Sequence, residues 1–120
     1  MKFTIPLKPI TKKNSQQIIN VRGRPMIIPS KQYKIYERDC EPYIKPSETI
    51  VEPVNVKAIF YMPTHRRVDL VNLQEALLDI LVKYKAIDDD NCRIVVSMDG
   101  SRVDYDKENP RTEVEITKVT

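Results

Sequence analysis

The chain has one histidine, His65. That excludes multi-histidine zinc chemistry and argues against a histidine-based catalytic triad. It has two cysteines, Cys40 and Cys92, with neither zinc-ligand spacing nor a disulfide framework. They read most simply as free thiols in a reducing cytoplasm. No apolar run approaches the roughly twenty residues that span a bilayer, so no membrane partner is expected. The opening stretch, Met1 to Pro6, lacks the long apolar run of a secretory signal, and a cytoplasmic location is expected. Internal repeats and low-complexity segments are also missing.

What remains is ordinary in bulk and uneven in detail. The 120 residues are 41% hydrophobic and 31% charged, which suits one soluble domain spanning residues 1–120. The net charge of +3 hides an asymmetry. Residues 1–48 carry ten Lys/Arg against four Asp/Glu; residues 49–120 carry ten against thirteen. A basic front half and an acidic back half suit a protein that grips phosphate with one region and holds cations with another.

Pattern predicts an α+β fold: a single two-layer domain of four to six mostly antiparallel strands with two main helices. Phe3, Ile5 and Leu7 alternate with polar residues as an edge strand. Residues 11–23 read as a polar, irregular loop, and Pro25 to Ile28 as a short strand. Ser30 is a good N-cap for a helix from Lys31 to about Tyr43, with Pro42 a stop or kink. Its Tyr33, Tyr36, Cys40 and Tyr43 fit a core face better than a phosphate-stacking one. Val54 to Met62 alternates as a strand closed by Pro63. Further strands are expected over Arg93 to Met98, Arg102 to Tyr105 and Thr112 to Val119, with Asp99-Gly100 a tight turn.

Leu70 to Tyr84 has the clearest periodicity. Leu70, Leu73, Leu77, Ile80, Leu81 and Tyr84 form one apolar face at helical spacing. Val71, Leu78 and Val82 form another sector, so the polar stripe through Asn72, Glu75, Asp79 and Lys83 is narrow. A helix apolar on two sides covers the sheet with one and can meet a second subunit with the other, which predicts a homodimer through this second helix. A single well-covered core helix would leave the same pattern. Asp69 or Asn72 is placed to cap its start.

Around this helix lie the candidates for chemistry. Arg66 and Arg67 precede Asp69, and the triplet Asp88, Asp89, Asp90 follows the helix. Closely spaced carboxylates repel, and magnesium, which keeps several waters, needs only two or three of them. The triplet by itself fits a solvated turn at least as well. Arg66 and Arg67 suit phosphate clamping, or else a salt bridge to the acidic run. His65 in a basic loop fits a phosphate contact, or simple exposure, better than a proton shuttle. Lys12, Lys13, Asn14, Arg22 and Arg24 form a second basic stretch, suited to sequence-independent phosphate contacts or merely to solvent.

Taken together, Arg66-Arg67, Asp69-Leu70, Asn72-Leu73, a helix, then Asp89-Asp90 and Ile94 resemble the RusA family of Holliday junction resolvases. That family's hallmark is a basic run, Asp-Leu-Asp-Asn-Leu, a helix, and a later Asp-Asp-x-Gln-hydrophobic. The stretches Lys12 to Ser15, Asp99 to Val103 and Tyr105 to Arg111 resemble its phage and prophage subset in particular. The resemblance spans nearly the whole chain. It implies a Mg2+-dependent, structure-selective endonuclease, acting as a homodimer on four-way DNA junctions in recombination and repair. It assigns catalytic and metal-binding roles to Asp69 and Asp90, with Asp89 beside them, and DNA contacts to the basic residues and Asn72. Two positions depart. The family's second aspartate falls on Val71, which cannot bind metal, and its helix lysine falls on Glu75. Glu75 is therefore expected to supply the missing catalytic and metal-binding carboxylate, with Asp79 a weaker substitute. Two rivals are a non-catalytic junction-binding accessory protein of phage origin and a small interaction domain unrelated to nucleic acid.

Overall fold

The computed structural model describes residues 1–12 and 16–119. Its centre is β4, Val54–Met62. Val54, Val56, Ala58 and Phe60 are fully buried, while the residues between them are half-covered. This is the period-two alternation of a strand with one face on the core. On one side β4 pairs antiparallel with β7, Arg111–Lys118, which in turn pairs with β1, Lys2–Ile5. On its other side β4 takes two short parallel partners in succession, β5, Val95–Ser97, and β6, Arg102–Tyr105.

The break between β5 and β6 is stitched by side chains. Ser101 Oγ accepts the Ala58 N–H at 3.0 Å and donates to the Val56 carbonyl at 3.3 Å. It replaces the backbone partner that the ladder lacks there. Asn55 Oδ1 accepts from Ser97 Oγ at 2.5 Å and from the Asp99 N–H at 2.7 Å. Gly100 turns the chain at φ 86°, and a Cβ there would come within 3.1 Å of the Lys57 side chain. The Asp99-Gly100-Ser101 stretch is thus a sheet-splicing turn.

Two helices cover the inner face of the sheet. In α1, Lys31–Cys40, Ser30 caps the start by accepting the Tyr33 N–H at 3.1 Å. The α-helix ends at Cys40 and tightens into a 3₁₀ turn, Glu41–Tyr43, around Pro42. Tyr33, Tyr36 and Cys40 are buried, in line with a core role for this face, while Tyr43 is exposed. In α2, Leu70–Lys83, the buried residues are Leu73, Ala76, Leu77, Ile80 and Leu81. Burying each large aliphatic side chain is worth about 1.5–3 kcal/mol. Leu70, Leu78 and Val82 are half-buried against the same core, and Val71 is 67% exposed.

Where α2 ends, Lys85 takes a left-handed conformation at φ 64°. The Ala86 N–H reaches the Leu81 carbonyl and the Lys85 N–H the Val82 carbonyl, the paired closure of a Schellman cap. The chain then doubles back through a bridge between Ile87 and Ile50, which delivers the acidic triplet to the surface.

A second, separate sheet corrects one expectation, that of an irregular loop over residues 11–23. There β2, Gln16–Val21, pairs antiparallel with β3, Arg24–Pro29. The turn between them has φ 52° at Arg22 and 78° at Gly23, the positive values a two-residue hairpin turn requires. Adjacent isoleucines in each strand, Ile18-Ile19 and Ile27-Ile28, blur the alternation that marks a one-sided strand. The described residues therefore hold seven strands in an α+β arrangement. Three of the five pairings are antiparallel and two parallel.

Candidate functional site

β4 runs out at Met62, and Pro63 cannot continue its ladder. The chain then crosses the top of the domain and enters α2. His65, Arg66 and Arg67 are exposed along this crossing. Clefts lie on both sides of it. One, of about 400 Å³, is lined by residues of the crossing with Val103, Asp104 and Tyr105 of β6. The other, of about 510 Å³, is lined by Lys8, Pro9, Ile10, Thr11 and Gln32. Arg66 and Arg67 line both. Neither guanidinium has an ion pair among the described residues, so the expected alternative of a salt bridge to the acidic run is not what holds them.

His65 stacks on Tyr105, with ring centroids 3.9 Å apart and planes at 27°. Sequence reasoning gave Tyr105 no place here. Only the parallel register Met62↔Tyr105 brings the two rings together across forty residues. Asp69 sits at the N-cap position of α2 but makes no side-chain cap bond. Its carboxylate accepts instead from Asn72 Nδ2 at 3.3 Å. The carboxylate is exposed, two positions after Arg67 and at the positive end of a helix.

The other acids lie elsewhere. Glu75 is exposed on the outward face of α2, along the stripe shared by Val71, Leu78 and Val82. Asp79 is ten residues beyond Asp69, about 15 Å along the helix axis. It pairs with Lys12 Nζ at 3.0 Å, both side chains about one-third exposed. Lys12 is thus engaged by a carboxylate, where the sequence pattern suggested a phosphate contact.

Asp89 and Asp90 form a tight turn. Asp89 accepts the Asp90 N–H at 2.7 Å and Asn91 Nδ2 at 3.1 Å. The Asp90 backbone and side chain, then Asn91, hold the Asp89 carboxyl below its ordinary value. Partial desolvation, the hydrogen bond to Asp89 and the nearby charge of Asp79 push the Asp90 carboxyl up.

Among the described residues, no three of His, Cys, Asp and Glu come together as a metal-holding group. The chain brings Arg66, Arg67, Asp69 and Asn72 to one helix start, and Asp90 into the field of Asp79. Arg22 lies in the ribbon turn and Arg24 directly follows it. Lys13 and Asn14 lie outside the described residues. The Tyr105 to Arg111 stretch is structural at its C-terminal end. Arg111 lies over the Tyr61 ring at 3.8 Å and bonds Asp106 at 2.8 Å, while Asp106 also accepts the Glu108 and Asn109 N–H groups.

A small α+β domain that carries two guanidiniums without ion pairs among the described residues, and an exposed carboxylate at the same helix start, has the equipment to act on a phosphodiester. The family comparison makes the class specific: a family model described as endodeoxyribonuclease RusA matches residues 6–117. The chain belongs to the RusA family, and is an endodeoxyribonuclease of the Holliday-junction-resolving kind. No curated protein matches it significantly. No helix among the described residues is long and apolar enough to cross a membrane.

Proposed function

We propose that this endonuclease is Mg2+-dependent, cuts opposed strands of a four-way junction as a symmetric homodimer, and serves DNA recombination and repair. The observation that carries the reading is the start of α2, where Arg66 and Arg67 closely precede the Asp69 carboxylate and have no ion pair among the described residues. Both signs of charge are thereby left available, the guanidiniums for phosphate and the carboxylate for a cation.

The donor chemistry fits magnesium, which takes hard oxygen ligands and is commonly held by one or two carboxylates plus substrate phosphate. Asp69, Asp90, Asp89 and Glu75 are the candidate acids; no three of them form one group among the described residues, so the ion would rest on one or two of them and on the substrate phosphate. When bound, the ion supplies a water of lowered pKa and offsets charge on the leaving oxygen. Arg66 and Arg67 hold the scissile phosphate through charge-assisted hydrogen bonds and balance the charge of its pentacovalent state. Asn72 fixes the rotation of the Asp69 carboxylate. Lys13, Asn14, Arg22 and Arg24 contact flanking phosphates, with the steep salt dependence such contacts bring.

Pairing through α2 would use Val71, which is 67% exposed, with the uncovered edges of Leu78 and Val82, whose other sides pack on the core. An isologous contact there sets two sites about a two-fold axis, as a two-fold junction demands. The deciding experiment is cleavage of a synthetic four-way junction with and without magnesium, using Asp90→Asn as control. Paired nicks that need both the ion and Asp90 support the reading. Valine in place of the family's second aspartate favours one rival, a junction binder that does not cut. Binding without nicking at any divalent concentration would establish it.

A further inference from the structure

The β2–β3 ribbon is a separate two-stranded sheet. Its register sets Ile18 opposite Ile27 on one face and Ile19 opposite Met26 on the other. Ile18 is 74% exposed, Ile27 66% and Met26 48%. Two-stranded ribbons are marginal in water, and β-branched side chains open to solvent on both faces add to the cost. Something must cover them in the working state.

Charge says what. Arg22 sits in the turn and Arg24 directly after it, and the first acidic residue of the whole chain is Glu37. The occupant must offer negative charge and apolar surface within the same few ångströms. A second copy of the ribbon offers apolar surface but brings its own arginines and no acid. Branched DNA offers both: phosphates along each strand, and base faces where the stack breaks at the branch. A six-residue ribbon is about 20 Å long, and a two-stranded ribbon fits a DNA groove. Apolar side chains inserted at a base step normally bear the cost of unstacking it. At a branch point that cost is reduced, so the wedge favours junctions over plain duplex.

We propose that the β2–β3 ribbon is a branch-point wedge, with Ile18 and Ile27 placed against exposed base faces while Arg22 and Arg24 hold the adjoining phosphates. The proposal rests on the junction-binding reading above and supplies its source of shape selectivity.

The test uses the full chain, a four-way junction carrying a fluorescent adenine analogue at the branch, and a linear duplex of the same sequence. Wild type should raise the analogue's fluorescence on binding. Ile18→Ser with Ile27→Ser should abolish that rise and weaken junction binding by about tenfold, leaving duplex binding within about twofold. Arg22→Gln with Arg24→Gln should instead weaken both DNAs and lower the salt slope by about one for each phosphate no longer held. Both isoleucines are exposed, so folding should survive, and circular dichroism checks it.

An undiminished fluorescence rise in the double serine variant overturns the wedge while leaving junction cleavage standing. So does conversion of a dimer to a monomer by the same substitutions, which would make the ribbon a subunit contact. Failure of wild type to bind the junction at all overturns both this proposal and the function it rests on.

Discussion

Lys12 Nζ lies 3.0 Å from Asp79 Oδ2, which ties the segment leading into the β2–β3 ribbon to the middle of α2. The helix that carries the candidate acids and the ribbon that carries Arg22 and Arg24 thus share a link. Each side chain is about one-third exposed, so the pair is screened by solvent and contributes little to stability. Lys12→Ala should cost under about 1 kcal/mol in a urea melt. A loss above about 2 kcal/mol would mean that the pair organises more than its own two residues.

The carboxylate question turns on Glu75. If it replaces the acid missing at Val71, Glu75→Gln should slow junction cleavage by about a hundredfold or more, with binding in EDTA unchanged. Restoring the family pattern with Val71→Asp and Glu75→Lys together should recover activity. Cleavage by Glu75→Gln at the wild-type rate would remove Glu75 from the site and leave Asp79 as the next acid to test.

The two thiols should separate cleanly. Burial pushes the Cys40 thiol up to about 12, its hydrogen bond with Tyr36 offsetting only part of this. Cys92 is exposed. At neutral pH the native protein should label rapidly at one cysteine and at the second only when denatured. Raising the pH moderately should leave Cys40 of the folded protein unlabelled, because burial disfavours its thiolate. Rapid double labelling of folded protein would contradict the buried position of Cys40.

Ser101 is expected to matter more than a surface serine should. Ser101→Ala leaves the Ala58 N–H without its partner beneath the sheet splice. The cost should be about 1–3 kcal/mol, read as a lowered denaturation midpoint with an unchanged m-value. Ser101→Thr keeps the hydroxyl and should retain most of the stability. Equal loss in both variants would point to crowding in place of the hydrogen bond.

Asp106 should give the fold an acid-sensitive turn. The Arg111 side chain, then the Asn109 N–H, holds its carboxyl below the ordinary 3.8. A depressed folded value adds stability above the unfolded value and loses it as pH falls through the folded one. Wild type should therefore exceed Asp106→Asn at neutral pH, and the gap should close below about pH 4. A gap independent of pH would assign the effect to shape alone.

Much of the scaffold is legible in the residues. Alternation at β4 and β7, the Ser30 cap, the stop at Pro42 and the 3.6-residue rhythm of α2 are local signals, written within a few neighbours. So are Arg66, Arg67 and Asp69 as a contiguous group, and the family motifs around them. Of the β2–β3 ribbon, β3 is foreseen as a short strand, but β2 and the pairing escape because exposed isoleucines fall on both faces and no one-sided alternation marks them. His65 against Tyr105, Ser101 against Ala58 and Lys12 against Asp79 are contacts across forty to nearly seventy residues. Chain pattern sets which face of an element is apolar, but side-chain partners depend on strand register and on how helices lie over the sheet. Sequence alone therefore determined most of the elements, the family and the list of candidate acids and bases. Tertiary structure decided which of them meet: among the described residues it left the two arginines near Asp69 without ion pairs, tied Lys12 to Asp79, and set Asp90 in the field of Asp79.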